Sequence, residues 1–150
     1  MATRSVIPKK QDNGQIKASY CHYDGYLEHV GEILNKHYTD KSKIDALLNE
    51  GDISCLDKNI GEKIDFDDFE TLRKNGQCRF YHRDRNEKLT LEVLDNVAEL
   101  ESYANDDCCA EYIYLFMENK WHVLGYETKG DFEILEDLLL AVNVSKNESN

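Results

Sequence analysis

The spacing of apolar residues changes period several times along the chain, and each change predicts an element. Residues 3–8 and 15–22 read as strands, with Asp12-Asn13-Gly14 between them as a hairpin turn, since Asn-Gly tolerates the left-handed dihedrals of a tight turn. Leu27, Val30 and Leu34 then recur at helical spacing, with Asp24 as the expected cap. A second helix is expected after Thr39 or Asp40, turning Ile44, Leu47 and Leu48 inward and ending at Gly51. Residues 53–56 fit a brief strand or a turn, 61–65 a loop, and 66–72 one or two helical turns. Period-two patterning returns at 77–82 and 89–93, and Asp95 is placed to cap a helix carrying Val97, Leu100 and Tyr103.

The clearest element is a hairpin of residues 111–117 and 121–126 around Glu118-Asn119-Lys120. Tyr112, Tyr114 and Phe116 alternate there with Ile113, Leu115 and Met117, so both faces are covered or one meets a partner. A final apolar helix is expected from about residue 131 to 142, through Phe132, Leu135, Leu138, Leu139 and Val142. Hairpins with helices between and after them make an α+β class: one domain over residues 1–143, an antiparallel sheet with helices mainly on one face, and a polar tail at 144–150.

Composition supports a folded domain. Of 150 residues, 41% are hydrophobic, and one proline with no low-complexity block argues against a linker. No apolar run reaches the ~18–20 residues of a membrane span, and residues 1–8 lack the apolar stretch of a secretory signal, so a cytoplasmic chain, used whole, is expected. The five cysteines include no C-x-x-C pair. Reduced thiols, several of them buried, are therefore expected rather than a disulfide framework.

Charge changes the picture further. The net charge is −12, yet residues 1–50 hold seven basic and seven acidic side chains, so the whole excess follows residue 50. Residues 92–111 contain seven acids and no Lys or Arg, while Arg73, Lys74, Arg79, Arg83, Arg85 and Lys88 form a basic island before them. Such a balance disfavours direct binding of duplex nucleic acid, which needs a basic face against the phosphates. It suits attraction to a basic groove on another protein. The expected contacts are Asp65, Asp67, Asp68 and Glu70, together with Glu99, Glu101, Asp106 and Asp107. The plainer reading of the same acidity is a solvated surface that keeps the protein soluble.

Two segments concentrate chemistry. In Tyr20-Cys21-His22-Tyr23-Asp24-Gly25-Tyr26, a thiol, an imidazole, a carboxylate and three phenols fall within seven residues. Adjacent residues on a strand face opposite ways, so Cys21 and His22 do not form a nucleophile–base pair with each other. No ligand spacing for zinc accompanies His22, Asp24 and His29, and neither a metal nor another cofactor is expected. Asp24-Gly25 has a structural reading as cap and turn. The functional alternative has Tyr20, His22, Tyr23, Asp24 and Tyr26 lining a recess, with Arg83 and Arg85 of the second segment, residues 80–85, gripping a phosphate or stacking on a base. No glycine-rich phosphate loop, G-x-S-x-G or H-E-x-x-H is present.

The start Met1-Ala2-Thr3-Arg4-Ser5, the Tyr20–Tyr26 run, Lys36-His37-Tyr38, Gly51-Asp52-Ile53-Ser54 and Phe80-Tyr81-His82-Arg83-Asp84-Arg85 together resemble a family of small accessory proteins of bacteriophages and mobile elements. That family carries Tyr-Cys-His-Trp-Asp-Gly-Tyr and Tyr-Gly-Arg-Asp-Arg-Gly-like segments. The similarity spans residues 1 to about 125. Tyr23 stands where the family tends to Trp, and Tyr81-His82 near its usual Tyr-Gly. The resemblance carries no catalytic role. It implies a non-virion protein in the cytoplasm of an infected bacterium, a context in which proteins block host defence or redirect host machinery. The leading expectation is thus an acidic inhibitor that binds a bacterial defence or nucleic-acid-processing protein, as a mimic of nucleic acid. The alternatives are a protein that sequesters a small nucleotide signal, and a hydrolase or nuclease built on Cys21, His22 and Asp24. Self-association stays open.

Overall fold

In the computed structural model, which describes residues 2–148 and side chains through 144, one mostly antiparallel sheet of eight strands runs through the chain. Strand β1 (Ser5–Lys10) and β2 (Ile16–Cys21) form the first hairpin, turned as expected at Asp12-Asn13-Gly14, with Gly14 at φ 90°. A π-helical turn (Leu27–Gly31) continues into α1 (Glu32–His37), and α2 (Lys41–Asn49) follows. Asp40 caps α2 by accepting from the Ser42 N–H, and Gly51 turns the chain out of it at φ 80°. Next come β3 (Ile53–Cys55), α3 (Phe69–Asn75), β4 (Arg79–Phe80), α4 (Tyr81–Arg85), β5 (Glu92–Leu94) and α5 (Val97–Ser102). A second π-helical turn (Tyr103–Asp107) extends α5 before β6 (Tyr112–Met117), β7 (Lys120–Leu124), β8 (Glu133–Ile134) and α6 (Leu135–Glu148).

The strand order is β4-β3-β2-β1-β6-β7-β8, with β5 also on β2. Two neighbours, β1–β6 and β2–β3, are parallel, so the sheet is not purely antiparallel. The main core gathers Ile7, Cys21, Tyr114 and Phe116 from one face with Leu27, Val30, Leu34, Leu47, Leu48, Leu135 and Leu139 from the helices. The opposite face is covered by the α5 segment, where Leu100 and Ala104 meet Val6, Ile16, Ala18, Ile113 and Leu115. Both faces of β6 are therefore covered.

Four local expectations are corrected. Asp24 does not cap a helix: it sits at φ 57°, the next helical turn begins after Tyr26, and Tyr26 makes no side-chain cap either. The reason lies in Gly25, whose N–H donates to the Thr3 carbonyl at 2.8 Å and whose carbonyl accepts from the Tyr114 hydroxyl at 2.6 Å. A Cβ there would stand 2.8 Å from the Ser5 Cβ, so only glycine fits and Asp24 absorbs the turn. Residues 77–82 do not form one strand, because the chain turns helical at Tyr81. Asn96 rather than Asp95 caps α5, its side chain accepting from the Glu99 N–H. Finally, α6 starts at Leu135 because Glu133 and Ile134 pair with β7, and it continues through Glu148 rather than giving way to a tail at 144. Residues 149–150 of the expected tail lie outside the described residues.

Candidate functional site

The sheet divides at β2. One edge pairs with β1 over its whole length, whereas the other is shared by β5, opposite Ile16–Ala18, and β3, opposite Cys21. At the gap, the Tyr20 N–H donates to Oδ1 of Asp52 at 3.2 Å, so a side-chain carboxylate takes the place of a neighbouring strand. The fork leaves a recess of about 370 Å³ lined by Arg4, Tyr20, Asp52, Tyr103, Asp107 and Cys108, with Cys109 at its rim.

Burial shapes the chemistry of that recess. It raises the Asp52 carboxyl, the Tyr20 N–H bond opposes the rise, and the charge of Glu87 adds to it. Burial pushes the Tyr20 phenol up to about 12, against the pull of Arg4. Tyr103 is raised by burial and by its hydrogen bond with the Cys108 thiol. Burial also lifts Cys108 to about 11, with Asp52, Asp107 and Glu92 adding negative field and the Tyr103 bond opposing them. A thiol held protonated in this way is a poor nucleophile.

Alternation along β2 splits the polar-aromatic run. Cys21 is sealed in the main core, its thiol raised by burial and directed at the Tyr23 carbonyl 3.8 Å away. Tyr20 and His22 face the other side, with the Tyr20 oxygen 2.6 Å from His22 Nδ1. Burial, helped by Arg4, lowers the His22 pKa and so favours the neutral ring. The His22 ring meets Tyr23 edge-on at 4.5 Å, while Tyr26 leaves this group to pack near His29 at 6.2 Å. Asp24 is exposed at its left-handed turn. Cys21, His22 and Asp24 are thus not brought together as a catalytic set. Among the described residues, no group of three or more His, Cys, Asp or Glu is placed to hold a metal ion.

The arginines of the second segment have other work. Arg83 grips Asp84 with two bonds of 2.9 and 3.1 Å and donates to the carbonyls of Ile60, Gly61 and Cys78. These five bonds use every N–H of the guanidinium, which leaves none to grip a phosphate. Arg85 lies over the rings of Phe66 and Tyr81 at 4.6 and 4.8 Å and pairs with Glu87. Arg79 is buried over Phe66 and Phe69 and donates to Ser54 and the Phe66 carbonyl.

The two acidic groups differ in the same way. Asp68 caps α3 through the Thr71 N–H, Asp65 accepts from the Asp67 N–H, and Arg79 and Arg85 lie against the intervening Phe66. Asp67 and Glu70 are exposed beside them. Along α5 and its π-turn, Glu99, Asp106 and Asp107 are exposed and Glu101 is half-buried. Among the described residues none of these four forms an ion pair. Glu99 accepts from the Asp95 N–H and Asp106 from the Ser102 hydroxyl, which orients both carboxylates without neutralising them.

Sequence reasoning missed Asp52, Tyr103, Cys108 and Arg4 as neighbours of Tyr20. Their meeting depends on the strand register and on α5 folding over the second face, and no local pattern encodes either. Comparison with known proteins finds no matching family model, no matching curated sequence and no matching solved structure. Among the described residues, no helix is long and apolar enough to cross a membrane.

Proposed function

We propose that this chain is an acidic interaction protein that binds a basic surface of a bacterial defence or nucleic-acid-processing protein and inhibits it, competing there with nucleic acid. The observation that carries the reading is the α5 segment and its π-turn, which hold Glu99, Glu101, Asp106 and Asp107 with no Lys or Arg between them, and where among the described residues none of the four forms an ion pair. A surface kept only for solubility gains from mixing signs. A one-signed surface steers encounter with an oppositely charged partner and rejects like-charged ones. The bacterial setting comes from the resemblance to phage accessory proteins. Asp65, Asp67, Asp68 and Glu70 form the secondary contact, because part of that group is engaged in capping and lies against arginines.

The test uses matched baits. Affinity capture from bacterial lysate with the wild-type chain and with Glu99, Glu101, Asp106 and Asp107 all changed to Lys identifies the charge-dependent partner. Association of the purified partner is then followed across ionic strength. The reversal is expected to slow association at least about tenfold at low salt, and wild-type association is expected to fall as salt rises. Association that ignores both salt and charge reversal would refute the reading.

A further inference from the structure

We propose that the recess at the β2 fork is a socket for one cationic side chain, an arginine guanidinium or a lysine ammonium presented by the basic partner; this rests on reading the α5 face as a partner-binding surface. The socket is formed by Asp52, Tyr20 and Tyr103, with Asp107 joining it to that face.

Asp52 is the centre of the argument. Its Oδ1 accepts from the Tyr20 N–H, and among the described residues Oδ2 has no hydrogen-bond partner and neither oxygen has a salt bridge. A half-buried carboxylate in that state has lost part of its hydration without receiving a counter-ion. The charged group that acts on it is another anion, Glu87. Asp107 and Glu92 add negative field at the Cys108 wall. Arg4 also lines the recess and acts on the Tyr20 phenol and His22, and among the described residues it forms no ion pair with Asp52.

Two phenol rings complete the site. Tyr20 and Tyr103 both line the recess, and the face of such a ring attracts a cation through its quadrupole. The volume of about 370 Å³ lies at the small end of ligand sites, ~300–1,000 Å³. It suits the end of one side chain better than a nucleotide. A guanidinium entering there would form a charge-assisted bond to Oδ2 of Asp52 with its plane against a tyrosine.

The experiment is an NMR titration of the full chain with N-acetyl-arginine-methylamide and N-acetyl-lysine-methylamide. N-acetyl-glutamine-methylamide serves as the neutral probe, and the Tyr20, Tyr103 and Asp52 signals are read. The cationic probes are expected to bind weakly, at around the millimolar level, and to perturb all three residues, while the neutral probe leaves them unmoved. Asp52→Asn keeps an oxygen for the Tyr20 N–H and is expected to weaken cation binding at least about tenfold. Tyr103→Phe keeps the ring and should retain binding. Equal binding of the neutral probe, or undiminished cation binding by Asp52→Asn, overturns the socket. If that happens while Glu99, Glu101, Asp106 and Asp107 reversal still slows the partner, the reading of the α5 face survives alone. Cation binding that depends on Asp52, with no effect of the reversal on the partner, keeps the socket and removes that reading.

Discussion

Arg83→Met discriminates between an arginine that holds the fold and one that grips a ligand. The Arg83 side chain is 11% exposed and that of Asp84 is 0% exposed, so their pair operates in a largely dry setting. Removing one partner from a buried ion pair typically costs ~3–5 kcal/mol, because the other charge is left uncompensated. For a chain of this size that corresponds to a fall in melting temperature of roughly 6–20 °C. The usual remedy of deleting both charges should not restore stability here. Asp84 also accepts from the N–H groups of Phe80 at 2.9 Å and Ile64 at 3.1 Å, and Arg83 serves three carbonyls. In the double variant Arg83→Met, Asp84→Leu, these backbone groups lose their partners, and each that stays buried costs ~1–3 kcal/mol. Urea and thermal denaturation of the two single variants and the double variant measure this directly. A loss below about 1 kcal/mol for Arg83→Met, or a double variant as stable as wild type, would refute the structural assignment.

Gly25→Ala should destabilise by about 1–3 kcal/mol, since the new methyl meets Ser5 and the Thr3 carbonyl at 2.8–2.9 Å; a melting curve matching wild type would contradict that geometry. The turn of the second hairpin holds Glu118 at φ 55° and Asn119 at φ 61°, so Glu118→Asn with Asn119→Gly should stabilise by a few tenths to about 1 kcal/mol in urea unfolding. His22 has a lowered pKa in the fold, so folding favours its neutral form: its contribution is present above the ordinary histidine range and is lost as pH falls through the folded value. Stability of His22→Gln relative to wild type should therefore improve on acidification below about pH 6.5, and parallel curves from pH 7 to 5 would count against the burial of His22 beside Arg4.

What could be read from the sequence was chemistry that acts within a few residues. Asp12-Asn13-Gly14 set the first hairpin, and Asp40 with Gly51 bounded α2, because a turn or a cap is decided by its own dihedrals and N–H groups. The failures share the opposite cause. Residues 77–82 carry strand-like patterning, yet the chain turns helical at Tyr81, where Asp84 reaches back to the Phe80 N–H and Arg83 ties the turn to residues 60, 61 and 78. Asp24 looked like a cap because aspartate before an amphipathic stretch usually is one. Its real conformation follows from Gly25 fitting under β1 and from a tyrosine 89 residues further along. Of the expected ligand group, Tyr20, His22 and Tyr23 remain neighbours. Arg83 is drawn into the fold, and Asp52 joins through a gap in strand pairing that periodicity cannot reveal.

The placement of basic residues gives the acidic face its meaning. Of the arginines after residue 50, Arg79 and Arg83 are spent on carbonyls, rings and Asp84, and Arg85 on Glu87 and two aromatic rings. These cations therefore fix the loops between β3 and β5 instead of balancing the surface of α5. Charge on α5 has a cost, since like charges within a Debye length of about 8–10 Å repel. The fold nevertheless orients Glu99 and Asp106 through Asp95 and Ser102 and covers the inner face of α5 with Leu100 and Ala104. A helix anchored on its apolar side, with Glu99 and Asp106 oriented by hydrogen bonds, holds those two carboxylates in place. Rigid presentation matters for recognition because little side-chain freedom remains to be lost on docking. The same logic extends to Asp52, fixed through one oxygen by the Tyr20 N–H, while the other has no hydrogen-bond partner among the described residues.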